Sequence, residues 1–288
     1  MTTTSPETSA ANADQIAFWN SIAGQTWGAL QVNLDRQVEP LGALAVDALA
    51  PRLGERVIDI GCGCGQTSFA LARRVGPTGR VLGVDISSPM LAVAGRRADP
   101  EAQVRFLRAD AQTHPFEPAG ADCAYSRFGV MFFADPIAAF ANIRAGLRLG
   151  GRLAFVCWRA MALNPFMTAP LEAALPLLPE PVTPSDPKGP GPFAFADPVR
   201  VEQILARAGF RDIVLSPHDE AIGAGDVEQS VKTALSIGPL GAALRERPEL
   251  TASVEAAVRE VMVRHLTDRG VRLPSASWIV TARIPEEG

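Results

Sequence analysis

The chain has 288 residues, of which 47% are hydrophobic and 20% charged, and its net charge is −4. This composition is typical of a globular protein with one large domain or a domain with a cap. The sequence lacks a run of basic residues, which argues against a nucleic-acid partner because phosphate neutralisation requires clustered Lys and Arg. It also lacks a membrane-spanning apolar run or a signal-peptide core. A cytoplasmic protein without a membrane partner is therefore expected.

The N-terminal part of the chain holds two of the four tryptophans and precedes the first predicted strand. Residues 1–13 are rich in Thr, Ser and Ala without periodicity, and they are predicted to be disordered. Asp14 is a predicted helix cap, and apolar residues recur at mixed helical spacing over 16–38. An amphipathic helix over 41–49 follows. Residues 14–50 are therefore predicted to form helices that pack on one face of a sheet.

A glycine-rich turn follows the first predicted strand. Residues 57–60 read as a short buried parallel strand, and Gly61, Gly63 and Gly65 alternate before a predicted helix. Glycines let the backbone turn sharply and leave room for a ligand, and a helix start offers unpaired N–H groups to an anion. A dinucleotide fingerprint would require glycine where the chain has Gln66. The turn predicts another nucleotide-type site, with a purely structural turn as the alternative.

Acidic residues recur in three successive predicted strands. Asp59 lies in the first strand, Asp85 lies near the end of a strand over 80–86, and Asp110 near the end of one over 104–111. A carboxylate at the end of the second strand can accept hydrogen bonds from the vicinal hydroxyls of a ribose. Acids at strand ends are also common helix caps and turn formers. Three of them beside a glycine turn favour a ligand site.

The run D-x-G-x-G-x-G from Asp59 to Gly65 resembles motif I of the class I S-adenosylmethionine-dependent methyltransferases, and residues 15–158 resemble that family well. Within the family the chain looks like the small-molecule branch that acts in ubiquinone and menaquinone biosynthesis. The resemblance implies a Rossmann-like, doubly wound, mostly parallel α/β sheet of seven strands with an antiparallel final hairpin. It implies S-adenosylmethionine as cofactor, with S-adenosylhomocysteine as product. In the family, the acid matching Asp110 accepts from the adenine amino group.

The resemblance also implies that several elements share the cofactor site. Ile86 and Met90 are expected to form an apolar slot for the faces of the adenine. The N-terminal helices with Trp19 and Trp27 are interpreted as a layer packed on the sheet, as a lid over cofactor and substrate, or as both. The predicted cofactor-binding residues are Asp59, Gly61, Cys62, Gly63, Gly65, Asp85, Ile86, Met90, Asp110, Ala111, Ser126 and Trp27.

The loop after the fourth predicted strand is expected to face the reaction centre, because ligands bind outside the carboxyl ends of parallel strands. Its Phe and Met side chains would form an apolar wall around a small substrate, or ordinary core at a strand-to-helix junction. Arg127 would hold a substrate anion or pair with an acid. The predicted substrate-binding residues are Trp19, Arg127, Phe128, Met131, Phe132, Trp158 and Phe166.

The sequence identifies no dedicated general base. His114 and Arg127 are the candidates for a catalytic role, and structural hydrogen bonding is the alternative for His114, four residues after Asp110. Cys62 and Cys64 have the spacing of half a metal site, but no group of Cys and His with ligand spacing accompanies them. No metal is therefore predicted.

Beyond the fifth predicted strand the composition changes. A short apolar helix and a loop rich in Pro and Gly are interpreted as an insertion on the substrate side rather than a separate domain. Two helices, roughly 227–243 and 248–266, are predicted between the last two strands, 210–216 and 278–284. The predicted organisation is a disordered N-terminus (1–13), a helical lid (14–50), a cofactor-binding core (51–158), a cap insertion (159–197) and the C-terminal part of the same fold (198–288).

The sequence thus predicts an enzyme that transfers a methyl group from S-adenosylmethionine to a small, partly apolar molecule by in-line displacement. Orientation of the nucleophile can supply about 7–11 kcal/mol of the rate enhancement. The N-P-P-Y type signature of amide or adenine methylation is absent, which disfavours nucleobase substrates. A non-catalytic S-adenosylmethionine-binding protein on the same fold is the alternative. The sequence does not determine whether the acceptor atom is O, S, N or C, or whether the protein forms a homodimer.

Overall fold

The computed structural model describes residues 12–99, 103–179 and 189–286. Seven strands form one sheet: β1 (Arg56–Ile60), β2 (Arg80–Asp85), β3 (Val104–Arg108), β4 (Ala121–Arg127), β5 (Leu147–Trp158), β6 (Arg211–Ile222) and β9 (Leu273–Arg283). Two short strands, β7 (Leu266–Thr267) and β8 (Gly270–Val271), pair separately. The order across the large sheet is β3-β2-β1-β4-β5-β9-β6.

Helices surround this sheet. In chain order they are α1 (Ala13–Trp19), α2 (Ile22–Ala29), α3 (Gln31–Leu49), α4 (Gln66–Val75), α5 (Ser88–Arg97), α6 (Pro136–Ala145), α7 (Pro165–Ala174), α8 (Pro198–Arg207), α9 (Val227–Ser236), α10 (Gly238–Glu246) and α11 (Thr251–Arg264). Within the described ranges, no helix combines the length and the apolar character needed to cross a membrane.

The sheet topology confirms the predicted doubly wound architecture. Strands β1 to β5 run parallel, and β9 runs antiparallel to both of its neighbours, β5 and β6. The strand order reverses beside β1, since β2 and β3 lie on one side of it and β4 on the other. In an open parallel sheet the crevice at the carboxyl ends of such strands is where ligands bind.

Buried apolar runs explain why the central strands form. In β1, Val57, Ile58 and Ile60 are at most 4% exposed, and in β5 the residues from Leu153 to Cys157 are at most 1% exposed. Continuous apolar strands of this kind are typical of parallel sheets that are covered on both faces. Helix α3 packs on β4 and β5, α4 on β1 and β2, and α8 on β6. This core fixes the strand ends that carry the site.

The N-terminal helices begin earlier than the sequence predicted. The first helical residue is Ala13 and Asn12 precedes it, so Asp14 lies inside the first turn and is not the cap. Asn12 is only 4% exposed. The predicted disordered stretch therefore does not extend to residue 13. Residues 1–11 lie outside the described residues, and disorder there stays a prediction.

Helix α3 is longer than the predicted helix over 41–49, because it runs through Pro40 without ending. A proline inside a helix removes one hydrogen bond and costs roughly 3 kcal/mol. The helix buries Leu34, Leu41 and Leu49, each at most 6% exposed, and burying a leucine contributes about 1.5–3 kcal/mol. Burial of this face therefore outweighs the cost of the proline.

The segment after β5 and the helices between β6 and β9 form one helical layer. Helix α7 packs on α11, and α9 packs on α10 and α11, around a second apolar core. The predicted helix over 227–243 is two helices, since Gly238 has a φ of +64° and Pro239 follows it at the start of α10. Proline cannot continue the preceding helix. The layer also contacts α3 through Arg36, which donates to the backbone oxygen of Ala224 at 3.2 Å.

Strands β6 and β9 extend beyond the predicted 210–216 and 278–284. They pair with each other as far as Ile222 opposite Leu273. Strand β6 continues through Pro217 and the polar residues that follow it. Strand β6 lies at the edge of the sheet, where a proline is tolerated because its missing N–H faces away from the neighbouring strand.

A buried ion pair joins β5 to the residue before β1 and generates a stability prediction. Arg152 donates to Glu55 at 2.6 Å and to the carbonyl oxygen of Leu49 at 3.1 Å. Arg152→Met should lower the free energy of unfolding by about 3–5 kcal/mol, because it leaves the Glu55 carboxylate buried without its partner. Urea denaturation measures this change.

The matched control is Arg74→Met, which removes an exposed ion pair with Asp47, where both side chains are more than half exposed. That loss should be at most about 1 kcal/mol. Equal losses in the two variants would contradict a structural role for the buried pair.

Candidate functional site

The glycine turn lies where the ends of β1, β2 and β4 meet. Gly61, Gly63 and Gly65 have φ values of +66°, +54° and +84°, a region that favours glycine. A Cβ atom on Gly61 would lie 2.8 Å from the Cα of Gly129 in the loop after β4, and one on Gly63 would lie 2.8 Å from Cε of Met90. A backbone contact therefore requires glycine at Gly61, and the end of the Met90 side chain lies close to Gly63.

Asp59 lies beneath this turn and is fully buried. Its Oδ2 accepts hydrogen bonds from Thr67 Oγ1 at 2.7 Å and Ser68 Oγ at 2.6 Å, which ties β1 to the first turn of α4. Burial raises the pKa of the Asp59 carboxyl from its ordinary 3.8 to about 6, although both hydroxyls oppose that shift. Its Oδ1 is buried without a hydrogen-bond partner among the described residues. A carboxylate with an open acceptor favours a cationic ligand group nearby.

Asp85 ends β2 beside the turn. Its Oδ2 accepts from the backbone N–H of Gly63 at 2.7 Å, and its Oδ1 accepts from that of Ser87 at 2.8 Å. Burial raises the pKa of this carboxyl. The next residue, Ile86, is half-buried and accepts a hydrogen bond at its carbonyl from Asn20 of the segment after α1, at 2.9 Å. The structure thus brings Asp85, Ile86 and the glycine turn together.

Asp110 follows β3 and is buried, as is Ala111. Both of its carboxylate oxygens accept from Asn12 Nδ2 at 2.9 Å, and Oδ1 also accepts from the backbone N–H of Gln112 at 2.9 Å. The sequence analysis missed Asn12 because nothing local distinguishes it from the polar stretch around it. The partner of Asp110 is 98 residues away in the chain.

The backbone of the loop after β4 is held in a strained conformation at Phe128. Phe128 has a φ of +59°, which costs about 1–3 kcal/mol for a residue with a side chain. Its backbone N–H donates to the carbonyl of Val156 at 3.0 Å, and Ser126 Oγ accepts from the N–H of Gly129 at 3.2 Å. These bonds hold the strained loop against the glycine turn. Strain of this kind is common at functional sites.

The predicted substrate-binding aromatic residues lie in two groups of rings, one of which also contains Phe18 and the predicted cofactor residue Trp27. The lid cluster consists of Phe18, Trp19, Trp27 and Phe132, with Trp19 ring centroids 5.6 Å from Trp27 and 5.3 Å from Phe132. The wall cluster consists of Phe128, Trp158 and Phe166: the ring of Trp158 stacks on Phe128 at 3.9 Å and lies 4.8 Å from Phe166. The lid cluster thus joins the N-terminal helices to the loop after β4.

Two predicted substrate residues have other surroundings. Met131 is 1% exposed and belongs to the core, which agrees with the core alternative. Arg127 pairs with Asp35 of α3 at 3.1 Å and hydrogen bonds to Gln66, which agrees with the pairing alternative. Arg97 joins the same network by donating to Asp35 at 3.0 Å. Direct contacts of Arg127 and Met131 with a substrate stay predictions.

His114 lies in the loop after β3 with its ring against that of Phe116, at a centroid distance of 5.1 Å. Burial lowers the pKa of its imidazole. Its backbone N–H donates to the carbonyl of Asp110 at 2.8 Å, and its carbonyl accepts from Asn142 at 2.8 Å. These contacts agree with the structural alternative, and general-base catalysis by His114 stays a prediction.

The two cysteines of the turn are buried thiols. Burial raises the pKa of Cys62 well above its ordinary value and that of Cys64 to about 12, so neither is a thiolate near neutral pH. The backbone N–H of Cys62 donates to the carbonyl of Val84 at 3.2 Å. Among the described residues, no group of His, Cys, Asp and Glu is arranged to hold a metal ion.

The pKa of Asp59 generates a prediction about stability. Because its folded pKa of about 6 exceeds the ordinary 3.8, the folded protein keeps a proton that the unfolded chain releases between these values. At about 1.36 kcal/mol per pH unit, this proton stabilises the folded protein by about 3 kcal/mol. The stabilisation is fully present below about pH 4 and is lost as the pH rises through 6. Asp59→Asn removes this dependence.

Urea denaturation of both proteins at a series of pH values tests the prediction. The free energy of unfolding of Asp59→Asn, relative to the wild type, should rise from pH 4 to pH 7 by roughly that amount. A constant difference would show that burial does not perturb this carboxyl.

Comparison with known proteins places these features in context. Residues 57–151 match the family model described as a methyltransferase domain. The chain is 31% identical over 240 residues to nocamycin O-methyltransferase from Saccharothrix syringae, an alignment that covers 79% of this chain and 83% of that protein. It is 36% identical over 118 residues to the aklanonic acid methyltransferase DauC from Streptomyces sp. (strain C5), which covers 40% of this chain.

The shared length differs between relatives. The alignments with three other curated relatives, DauC among them, span only 32–54% of those proteins. Among solved structures, the YcgJ protein from Bacillus subtilis superposes with a TM-score of 0.56 at 19% identity, covering 87% of this chain and 100% of that one. This likeness concerns the fold.

Proposed function

The chain belongs to the S-adenosylmethionine-dependent methyltransferase family, and we propose that it transfers a methyl group from S-adenosylmethionine to a small, partly apolar molecule. The observation that carries the proposal is the hydrogen bond between the glycine turn and the carboxylate that ends β2, with a second carboxylate after the neighbouring strand β3. Asp85 is hydrogen-bonded to Gly63, and Asp110 follows the next strand of the sheet, β3. In our proposal, Asp85 accepts from the ribose hydroxyls and Asp110 from the adenine amino group.

The residues present fit the cofactor. S-adenosylmethionine carries a cationic sulfonium and an ammonium group, and its sulfonium supplies an electrophilic methyl group when it is bound. Asp59 offers a buried carboxylate oxygen without a partner, and a cation nearby would favour its ionised form. The turn at Gly61 and Gly63 keeps side chains away from this region. Ile86 and Met90 would contact the adenine faces, with Trp27 above them from the lid.

The aromatic clusters support an apolar acceptor. Trp158 is 6% exposed and is stacked on Phe128, while Trp19 contacts Phe132 across the loop after β4. We propose that these rings exclude water from the reacting groups and orient the acceptor, and orientation can supply about 7–11 kcal/mol. An acceptor that is already anionic, such as a thiolate or an acidic phenolate, would need no general base.

Support for a small molecule also comes from the relatives. Nocamycin O-methyltransferase and aklanonic acid methyltransferase are named for small-molecule substrates, and demethylmenaquinone methyltransferase from Thermus thermophilus is 37% identical over 110 residues. We extend the substrate class, but not a particular substrate, to this chain. A cytoplasmic location and a homodimer stay predictions.

Turnover is the test of the proposal, because the fold alone does not fix the activity. The purified protein is incubated with S-adenosylmethionine and a panel of phenols, thiols and carboxylates, and S-adenosylhomocysteine release is followed. Acceptor-dependent release supports the proposal. Tight binding of S-adenosylhomocysteine with no turnover across a broad panel would favour the non-catalytic alternative.

The cofactor assignment predicts the effect of Asp85→Ala. The variant loses the acceptor for the ribose hydroxyls, and hydrogen bonds to a charged group contribute about 1.5–3 kcal/mol. Titration calorimetry should therefore show S-adenosylhomocysteine binding weakened by at least about tenfold. Asp47→Ala, an exposed acid on α3, is the control and should bind normally. Unchanged affinity in folded Asp85→Ala would remove Asp85 from the site.

A further inference from the structure

Helix α1 lies across the ends of two strands that carry the proposed cofactor carboxylates. At its start, Asn12 is hydrogen-bonded to Asp110, after β3. At its end, Asn20 donates to the carbonyl of Ile86, after β2, at 2.9 Å. The helix therefore spans the gap between the two loops where we propose that the adenosine binds.

Both polar atoms of the Asn12 carboxamide are hydrogen-bonded. Nδ2 donates to both carboxylate oxygens of Asp110 at 2.9 Å and lies 3.3 Å from Oε1 of Gln112. Oδ1 accepts from the backbone N–H of Ala134 at 2.8 Å. The residue is 4% exposed. Hydrogen bonds to an ionised acceptor are roughly twice as strong as those between neutral groups, so this arrangement is firmly held.

We propose that Asn12 is a latch that occupies the adenine subsite of the free protein. The inference rests on the proposed function, in which Asp110 receives the adenine amino group. The Asn12 carboxamide carries an NH2 donor and an oxygen acceptor on the same planar carbon. The amino edge of adenine likewise presents an NH2 donor beside an acceptor. Both groups would donate to the same buried carboxylate oxygens, and both of these oxygens accept from Asn12 in this structure. Cofactor and Asn12 therefore compete for Asp110.

Competition of this kind has a defined kinetic consequence. The apparent dissociation constant of a ligand equals its intrinsic dissociation constant divided by the fraction of protein in which the site is open. Opening the latch should therefore speed cofactor entry and leave its departure unchanged, since Asn12 makes no contact with the bound ligand in this scheme. A residue that contacts the bound cofactor would instead speed departure when it is removed.

The experiment measures binding of S-adenosylhomocysteine by stopped-flow tryptophan fluorescence and calorimetry. Asn12→Ala should bind about tenfold more tightly than the wild type, with the gain in the association rate and the dissociation rate within about twofold. Asn12→Asp, which puts a second carboxylate against Asp110, should give a gain of at least the same size. Either variant suffices if the other folds poorly.

Asn142→Ala is the matched control. Asn142 donates to the carbonyls of Ala111 and His114 at 2.9 Å and 2.8 Å, so its loss loosens the same loop without freeing the Asp110 carboxylate. It should give no gain in affinity. A gain in Asn142→Ala equal to that in Asn12→Ala would overturn the latch, because general loosening would then explain both.

The remaining outcomes separate the latch from the proposed function. If the wild type binds S-adenosylhomocysteine and Asn12→Ala binds it equally or more weakly, the latch is wrong and the proposed function stands. If neither protein binds it, the proposed function fails, and the latch fails with it. If only Asn12→Ala binds, both proposals are supported, since the wild type is then held closed.

Discussion

The contact between the backbones of Gly61 and Gly129 is the constraint on which the site depends. A Cβ atom at Gly61 would lie 2.8 Å from the Cα of Gly129, so the turn after β1 and the loop after β4 leave no space for a side chain at Gly61. The Ser126 hydroxyl accepts from Gly129 on one side, and Asp85 accepts from Gly63 on the other. Three strand ends are thereby fixed around one turn.

Acidic side chains lie next to this turn, and the nearby arginines are paired with an acid of α3. The acids Asp59, Asp85 and Asp110 lie at the carboxyl ends of β1, β2 and β3, and burial raises the pKa of the first two. The nearby cations, Arg97 and Arg127, are both paired with Asp35 of α3. We propose that Asp59, Asp85 and, once Asn12 has left it, Asp110 receive the positive charge and the hydrogen-bond donors of S-adenosylmethionine.

The parts of the fold and site that depend on local sequence could be predicted. Alternating glycines, acids at strand ends and apolar strand runs act within a few residues, and they predicted the turn and the individual strands, whereas the seven-stranded sheet was implied by the family resemblance. The partners that could not be named in advance are far apart in the chain: Asp110 for Asn12, and Asp35 as the acid that pairs with Arg127. No local pattern encodes such a pairing.

The packing of α7 against the helices between β6 and β9 was not predicted, for a related reason. Its core joins α7 with α9, α10 and α11, which the chain separates by strand β6. Sequence periodicity shows that each helix has an apolar face but not which helix covers it. The length of β6 depends likewise on its pairing with β9.

The most direct measurement of the central claim is a crystal structure of the protein with S-adenosylhomocysteine. The account predicts the ribose hydroxyls on Asp85, the adenine amino group on Asp110 and the Asn12 side chain displaced from that carboxylate. A ligand bound elsewhere, or bound at the turn with Asn12 still on Asp110, would contradict it.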